Sequence, residues 1–168
     1  IMLNGQVYPL KDTDFPTVDP ENPYKLTREE EVLMERLRQA FIGCEKLQKD
    51  VRFLFSKGSL YKVHNSNLLY HGCDPLDQEG NFKKINIYGK EYSGKQLYDV
   101  LDNYARKGYY ATRTSGEKAQ GQDILWYIWA GPNSPVFGKD KMTTFERYFI
   151  EDKETHKETK NSYYNMLD

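Results

Sequence analysis

Seven residues, Leu33, Leu37, Phe41, Cys44, Leu47, Val51 and Leu54, recur three and four positions apart. At 3.6 residues per turn this spacing returns a side chain to the same side of an α-helix, so all seven fall on one stripe. Thr27-Arg28-Glu29-Glu30 stands just ahead of the stripe. It reads as a capping box, in which the Thr27 hydroxyl takes an N–H of the first turn and Glu30 reaches back to Thr27. The pattern predicts a long amphipathic helix over 27–57, weakened in its middle by Gly43, by roughly 1 kcal/mol relative to Ala, and ended by Gly58. Residues 1–26 hold Pro9, Pro16, Pro20 and Pro23 among Asp and Asn, a density that forbids a long helix and predicts an extended arm. Phe15, Val18 and Tyr24 give that arm side chains with which to dock.

The rest of the chain has little apolar material. Only 37 of 168 residues are Leu, Ile, Val or Phe, just above the roughly one-fifth below which disorder is the default. Fourteen Tyr and two Trp offset this deficit, since aromatic rings bury large areas while keeping a polar handle. Lys plus Arg (24) nearly balance Asp plus Glu (25), for a formal net charge of −1, which argues against a strongly cationic nucleic-acid or membrane binder. Cys44 and Cys73 are too few for a disulfide-stapled scaffold or an all-thiolate zinc site, and favour a reducing, cytoplasmic setting. There is no membrane-span-length apolar run and no signal-peptide pattern. The chain opens Ile1-Met2-Leu3 and stops at Asn165-Met166-Leu167-Asp168 without a stop signal, so a piece of a longer protein is expected.

Residues 58–168 read as mixed strand and helix. Ser59–His64 and Asn67–His71 are short β-forming runs around Asn65-Ser66, a hairpin pattern. Residues 82–88 and 91–92 flank Gly89-Lys90 as a second hairpin. Ser93 is placed to cap a helix with Leu97, Leu101, Tyr104 and Ala105 inward and Gly108 as its left-handed stop. Residues 112–122 are nearly devoid of apolar side chains and read as a surface loop, while 123–130 (DILWYIWA) read as a strand buried on both faces and ended by Gly131-Pro132. Thr143–Glu146 is a further capping box before FERYFI.

Three patterns are candidates for chemistry. His71-Gly72 ends the strand NLLY, where sheets place ligands and a glycine permits close backbone approach. His64, His71 and Cys73 form H-x6-H-x-C, which fits no common zinc spacing, and His156 in a charged stretch reads as a solvated surface residue. Lys139, Lys141 and Arg147 gather near Gly138 and a helix start, a combination suited to a phosphate or another anion, with solvated cations as the plainer reading. No P-loop, Gly-x-Gly-x-x-Gly or Gly-x-Ser-x-Gly is present.

The segments FPTVDPENPYKLTREEE, KLQKDVRFLF, GSLYKVHNSNLLYHGC, WAGPNSPVFGKDKMTTFERYF and DKETHKETKN resemble the class III fructose-1,6-bisphosphatases of low-GC Gram-positive and some anaerobic bacteria. The resemblance covers nearly the whole chain, and YHGCDPLD and GPNSPVFGKDKMTTFERYF are its most specific pieces. It implies an α+β portion of a calcineurin-like α/β sandwich, and hydrolysis of the 1-phosphate of fructose 1,6-bisphosphate, a gluconeogenic step assisted by manganese. It implies that His71 is one metal ligand, because a His-Gly pair at a strand end holds metal in that superfamily. A pair of divalent cations about 3.5–4 Å apart suits phosphate hydrolysis, since it clamps the phosphate and generates a hydroxide. The superfamily's Asp-x-His, Gly-Asp-x-x-Asp-Arg, Gly-Asn-His-Asp or Glu, and Gly-His segments are not in this sequence, and Cys73 stands where many relatives have Gly. The expectation is an internal portion of the enzyme that is inactive by itself. The competing expectation is a non-catalytic interaction module with a tyrosine-rich surface, and homo-oligomer formation is compatible with both.

Overall fold

A computed structural model of the chain describes residues 1–3, 5–138, 146–151 and 166. It divides into two compact units, Asp12–Gly58 and a second made of Ile1–Lys11 with Ser59–Asp168. The folding is α+β, with helices and three separate two-stranded antiparallel pairs among the described residues. No helix among them is long and apolar enough to cross a membrane.

The Asp12–Gly58 unit carries two helices in place of the single predicted one: α1 (Arg28–Gly43) and α2 (Glu45–Lys57). The capping box forms as expected, Thr27 N–H donating to Glu30 Oε2 at 2.7 Å and Glu30 N–H to Thr27 Oγ1 at 3.3 Å. The Thr17 hydroxyl also donates to Glu30 Oε1 at 2.7 Å and, with the cap, holds the Glu30 carboxyl below the usual range. The helix breaks at Gly43-Cys44, where Cys44 is extended at φ −78°, ψ 98° and serves as the C-cap of α1 and the N-cap of α2. Glycine loses most entropy in a helix, so the break falls where helix is least favoured. Gln48 repairs part of it, its side-chain amide donating to Phe41 O at 3.1 Å. Neither helix buries a side chain; Leu33, Leu37, Phe41 and Leu54 are all exposed.

In the other unit, β1 (Met2–Leu3) and β2 (Gln6–Val7) form a minimal hairpin turning at Gly5, φ +80°. The chain then pairs Leu10 with Ile150, and Tyr8 and Ile150 make a small buried cluster. The predicted arm is therefore paired at its start, although the next fifteen residues are turns and isolated bridges.

The hairpin of β3 (Tyr61–His64) and β4 (Asn67–Tyr70) is as predicted. Asn65 and Ser66 both take positive φ (48° and 63°), the twist that suits a two-residue hairpin. The second hairpin, β5 (Ile85–Ile87) with β6 (Lys90–Tyr92), turns on Tyr88-Gly89, one residue earlier than expected, with Gly89 at φ +84°. Helix α3 (Gly94–Tyr110) buries Leu97, Leu101 and Ala105 as predicted, whereas Tyr104 lies at the edge against Tyr88, ring centroids 5.2 Å apart. Ser93 is its N-cap without a side-chain cap bond.

Two expectations fail together. Residues 116–130 form one helix, α4 (Gly116–Ala130), so the predicted loop ends at Ser115 and the predicted strand DILWYIWA is helical. Gly121, Ile124 and Ile128 supply the deciding period, recurring three and four apart on the buried side. The aromatic and β-branched content that favours a strand is overridden by packing on α3. Gly108 is not a stop: it is buried inside α3, and a Cβ there would lie 2.6 Å from Gly121 C, so the helix backbones touch. Lys118 Nζ, donating to Gly108 O and Tyr109 O at 2.8 and 3.2 Å, covers the carbonyl end of α3. Gly131 caps α4 where the sequence ends it. Finally, α5 (Glu146–Phe149) is a single turn in the predicted FERYFI segment.

Candidate functional site

The two segments that carry the resemblance most specifically, around His71-Gly72-Cys73 and around 131–138, are far apart in sequence but lie against each other. Tyr61 and Tyr70 are directly paired across the β3–β4 hairpin. Both meet Tyr98 of α3 edge-on, at centroid distances of 5.8 and 6.1 Å. The Tyr98 hydroxyl donates to Cys73 O at 3.4 Å. Three aromatic rings thus fix where β4 ends and aim the chain that follows it.

Immediately after β4, Gly72 takes φ +90° and passes so close to the 131–138 loop that a Cβ would sit 2.2 Å from Pro135 O and 2.6 Å from Val136 O. Only glycine fits such an approach in that conformation. Cys73 N–H donates to Pro135 O at 2.9 Å, and Gly138, φ +67°, packs where a Cβ would be 3.2 Å from Cys73 Sγ. Glycine after His71 is needed, then, but the backbone it admits is the chain's own.

Ser134 holds the loop from within. It is fully buried, its hydroxyl donates to Ile128 O at 2.7 Å, and its Oγ accepts from Val136 N–H at 3.2 Å and Phe137 N–H at 3.4 Å. Lys83 Nζ donates to Asn133 Oδ1 at 3.1 Å while its own N–H donates to Pro75 O at 2.9 Å, tying both segments to the strand region between them. Asp77 closes the turn after Pro75-Leu76 by accepting from Glu79 and Asn81 N–H at 3.0 and 2.8 Å.

On this rigid junction His71 is exposed. Asp74, three residues on, is half-buried; burial raises its carboxyl above the usual range, and Oδ1 has no hydrogen-bond partner among the described residues. Tyr127, over Gly131 at the start of the loop, likewise buries a hydroxyl without a partner, and burial pushes it up to about 12. His64 is exposed at the hairpin tip opposite Asn67, while Cys73 is buried, so H-x6-H-x-C is not a cluster. Lys139, Lys141, His156 and the Thr143 capping position lie outside the described residues, and Arg147 is described only as backbone in α5.

Manganese is implied by the resemblance, and the described residues do not complete a site for it. No group of three or more His, Cys, Asp and Glu among them converges as a metal site needs. His71 and the unpartnered oxygen of Asp74 are donors of the right chemistry in one segment, too few to hold an ion unaided. Sequence reasoning named His71 and Gly72 but gave no role to Asp74, Tyr98 or Ser134. Asp74 and Ser134 each stood inside a quoted motif, whereas nothing local marks Tyr98 as a contact of either.

The sequence profile described as Firmicute fructose-1,6-bisphosphatase matches residues 1–168. The chain belongs to that family. It is 56% identical over 168 residues to the class 3 fructose-1,6-bisphosphatase of Clostridium tetani, covering 100% of this chain and 25% of the relative. A Clostridium botulinum relative of the same name is 55% identical over 168 residues, covering 100% and 26%, and one from Clostridioides difficile 55% over 166 residues, covering 99% and 25%. The chain thus spans about a quarter of the length of these curated relatives. No solved structure matches it.

Proposed function

We propose that this chain is the quarter of a class III fructose-1,6-bisphosphatase that supplies the His71-Gly72 junction to a composite active site. The observation that carries this reading is the identity of 56% along all 168 residues to a relative named for that activity. The substrate of the whole enzyme is then fructose 1,6-bisphosphate, with water taking up its 1-phosphate in a cytoplasmic, gluconeogenic step. The described residues belong to a larger calcineurin-like sandwich in this reading, and the strand-end position of His71 is what that architecture would require of a ligand.

The metal centre is composite under this proposal: His71 gives one imidazole and the rest of the polypeptide gives the other ligands. Bound manganese would neutralise phosphate charge and supply hydroxide near neutral pH. The chain's own contribution is positional, since the Tyr61–Tyr98–Tyr70 cluster and the Gly72 contact with Pro135 hold the backbone on either side of His71. Lys139, Lys141 and Arg147 are proposed to hold a substrate phosphate or an anionic regulator; neutralising each in the full enzyme should raise the Michaelis constant or alter regulation, and unchanged values would exclude them.

The test of the main reading measures phosphate release from fructose 1,6-bisphosphate by the full-length enzyme and by the 168-residue chain. Release by the full enzyme with none from the short chain above its His71→Ala control is expected. Turnover by the short chain would overturn the composite site, and an inactive full enzyme with manganese present would overturn the function.

A further inference from the structure

The β3–β4 hairpin is two strands wide and pairs with no further strand among the described residues. Its residues 62–69 are exposed, whereas Tyr61 and Tyr70, paired at its open end, are half-buried. His71 leaves the hairpin at that end. Whatever sets the angle of this end on α3 therefore also sets where the imidazole stands.

Burial of the tyrosine rings is non-directional, whereas a hydrogen bond fixes a direction. The Tyr61 hydroxyl donates to Asp99 Oδ1 at 2.9 Å, joining residues 38 positions apart. Lys95 Nζ donates to the other oxygen of the same carboxylate at 2.5 Å and stands 5.6 Å from the centre of the Tyr61 ring. The Lys95 ammonium and then the Tyr61 hydroxyl hold the Asp99 carboxyl below the usual range, which keeps it an acceptor at neutral pH. Tyr98, beside Asp99 on α3, meets Tyr61 and Tyr70 edge-on and donates to Cys73 O. Helix α3 thus grips the chain before His71 through two rings and after it through a carbonyl.

From this arrangement we infer that Asp99, oriented by Lys95, is a positioning residue for His71 that acts through Tyr61 and its strand partner Tyr70. The inference rests on the reading above that His71 is a metal ligand of the full enzyme. An exposed pair such as Lys95 and Asp99 adds little to fold stability. Its effect on the site is bounded in the same way, since an interaction shifts an equilibrium by no more than its differential strength between the two states. Loss of the Tyr61–Asp99 bond is therefore expected to weaken metal binding about two- to fivefold.

Manganese binding to the full-length enzyme, read from the electron paramagnetic resonance signal of the free ion, tests this in Tyr61→Phe, Asp99→Ala, their double variant and His71→Ala. Tyr61→Phe keeps the ring and removes the hydroxyl. Each single change should raise Kd about two- to fivefold at unchanged Tm, and the double variant should go no further than the larger single, because both break one bond. Unchanged Kd in both singles, with metal lost in His71→Ala, would overturn the inference and leave the functional reading standing. Additive shifts in the double variant, or shifts that come only with a lowered Tm, would also overturn it. Wild-type affinity in His71→Ala would overturn the reading itself and this inference with it.

Discussion

At Gly72 the backbone approach and the left-handed dihedral act together. A methyl group would meet Pro135 O at 2.2 Å in a conformation L-residues avoid. Gly72→Ala is expected to destabilise the fold by about 2–3 kcal/mol or more, read by chemical denaturation. Ser134→Ala removes the donor to Ile128 O and the acceptor for two N–H groups in a fully buried place. The cost should be about 1–3 kcal/mol, the range for leaving buried polar groups unsatisfied. Asp74 behaves oppositely to a salt-bridged carboxylate. Burial raises its folded pKa above the ordinary value of 3.8, so the native state binds the proton more tightly and its contribution to stability is lost as pH rises through the folded pKa. Asp74→Asn should therefore raise Tm at pH 7, with the advantage disappearing below about pH 4. Equal Tm gains at both pH values would contradict this account.

Glycines in helices separate packing from propensity at the scale of elements. Gly43 has nothing within 4 Å of its missing Cβ, so Gly43→Ala should add about 0.5–1 kcal/mol, the ordinary helix gain, and join α1 more firmly to its end. At Gly121 a Cβ would lie 2.1 Å from Gly108 N, so the same substitution there should cost several kcal/mol by forcing α3 and α4 apart, roughly the penalty of overpacking or more. Opposite signs in paired denaturation curves are the expected outcome. These positions also show what could be read in advance. The Thr27 box, the Asn65-Ser66 turn and the inward Leu97, Leu101 and Ala105 of α3 were legible, because each depends on residues within a turn or two of chain, and so was the stop at Gly131, although the element it ends is a helix and not the expected strand. Helix α4 was not. Its polar first half and aromatic second half look like different elements until Gly121 is seen to share a face with Ile124 and Ile128, a relation set by the α3 surface. The Gly43-Cys44 break is similar: the glycine signal was visible, but whether a helix bends through such a point or stops there depends on less than about 1 kcal/mol.

For the whole molecule, the junction of the His71 and 131–138 segments was beyond sequence reasoning, since both motifs were recognised but only tertiary packing through Tyr98 and Ser134 brings them together. That junction is well tied, and no group of three or more His, Cys, Asp and Glu converges among the described residues; under the proposal above, the other ligands come from elsewhere in a longer chain. Tyr98→Phe should leave the ring contacts and remove the hydroxyl bond to Cys73 O, lowering stability by about 0.5–1.5 kcal/mol. The most direct test of the composite site is manganese content together with phosphate release from fructose 1,6-bisphosphate in the full-length enzyme and its His71→Ala variant. Loss of bound metal and of most turnover in a variant that remains folded is the predicted result. Unchanged metal content and unchanged turnover would remove His71 from the site and contradict the account.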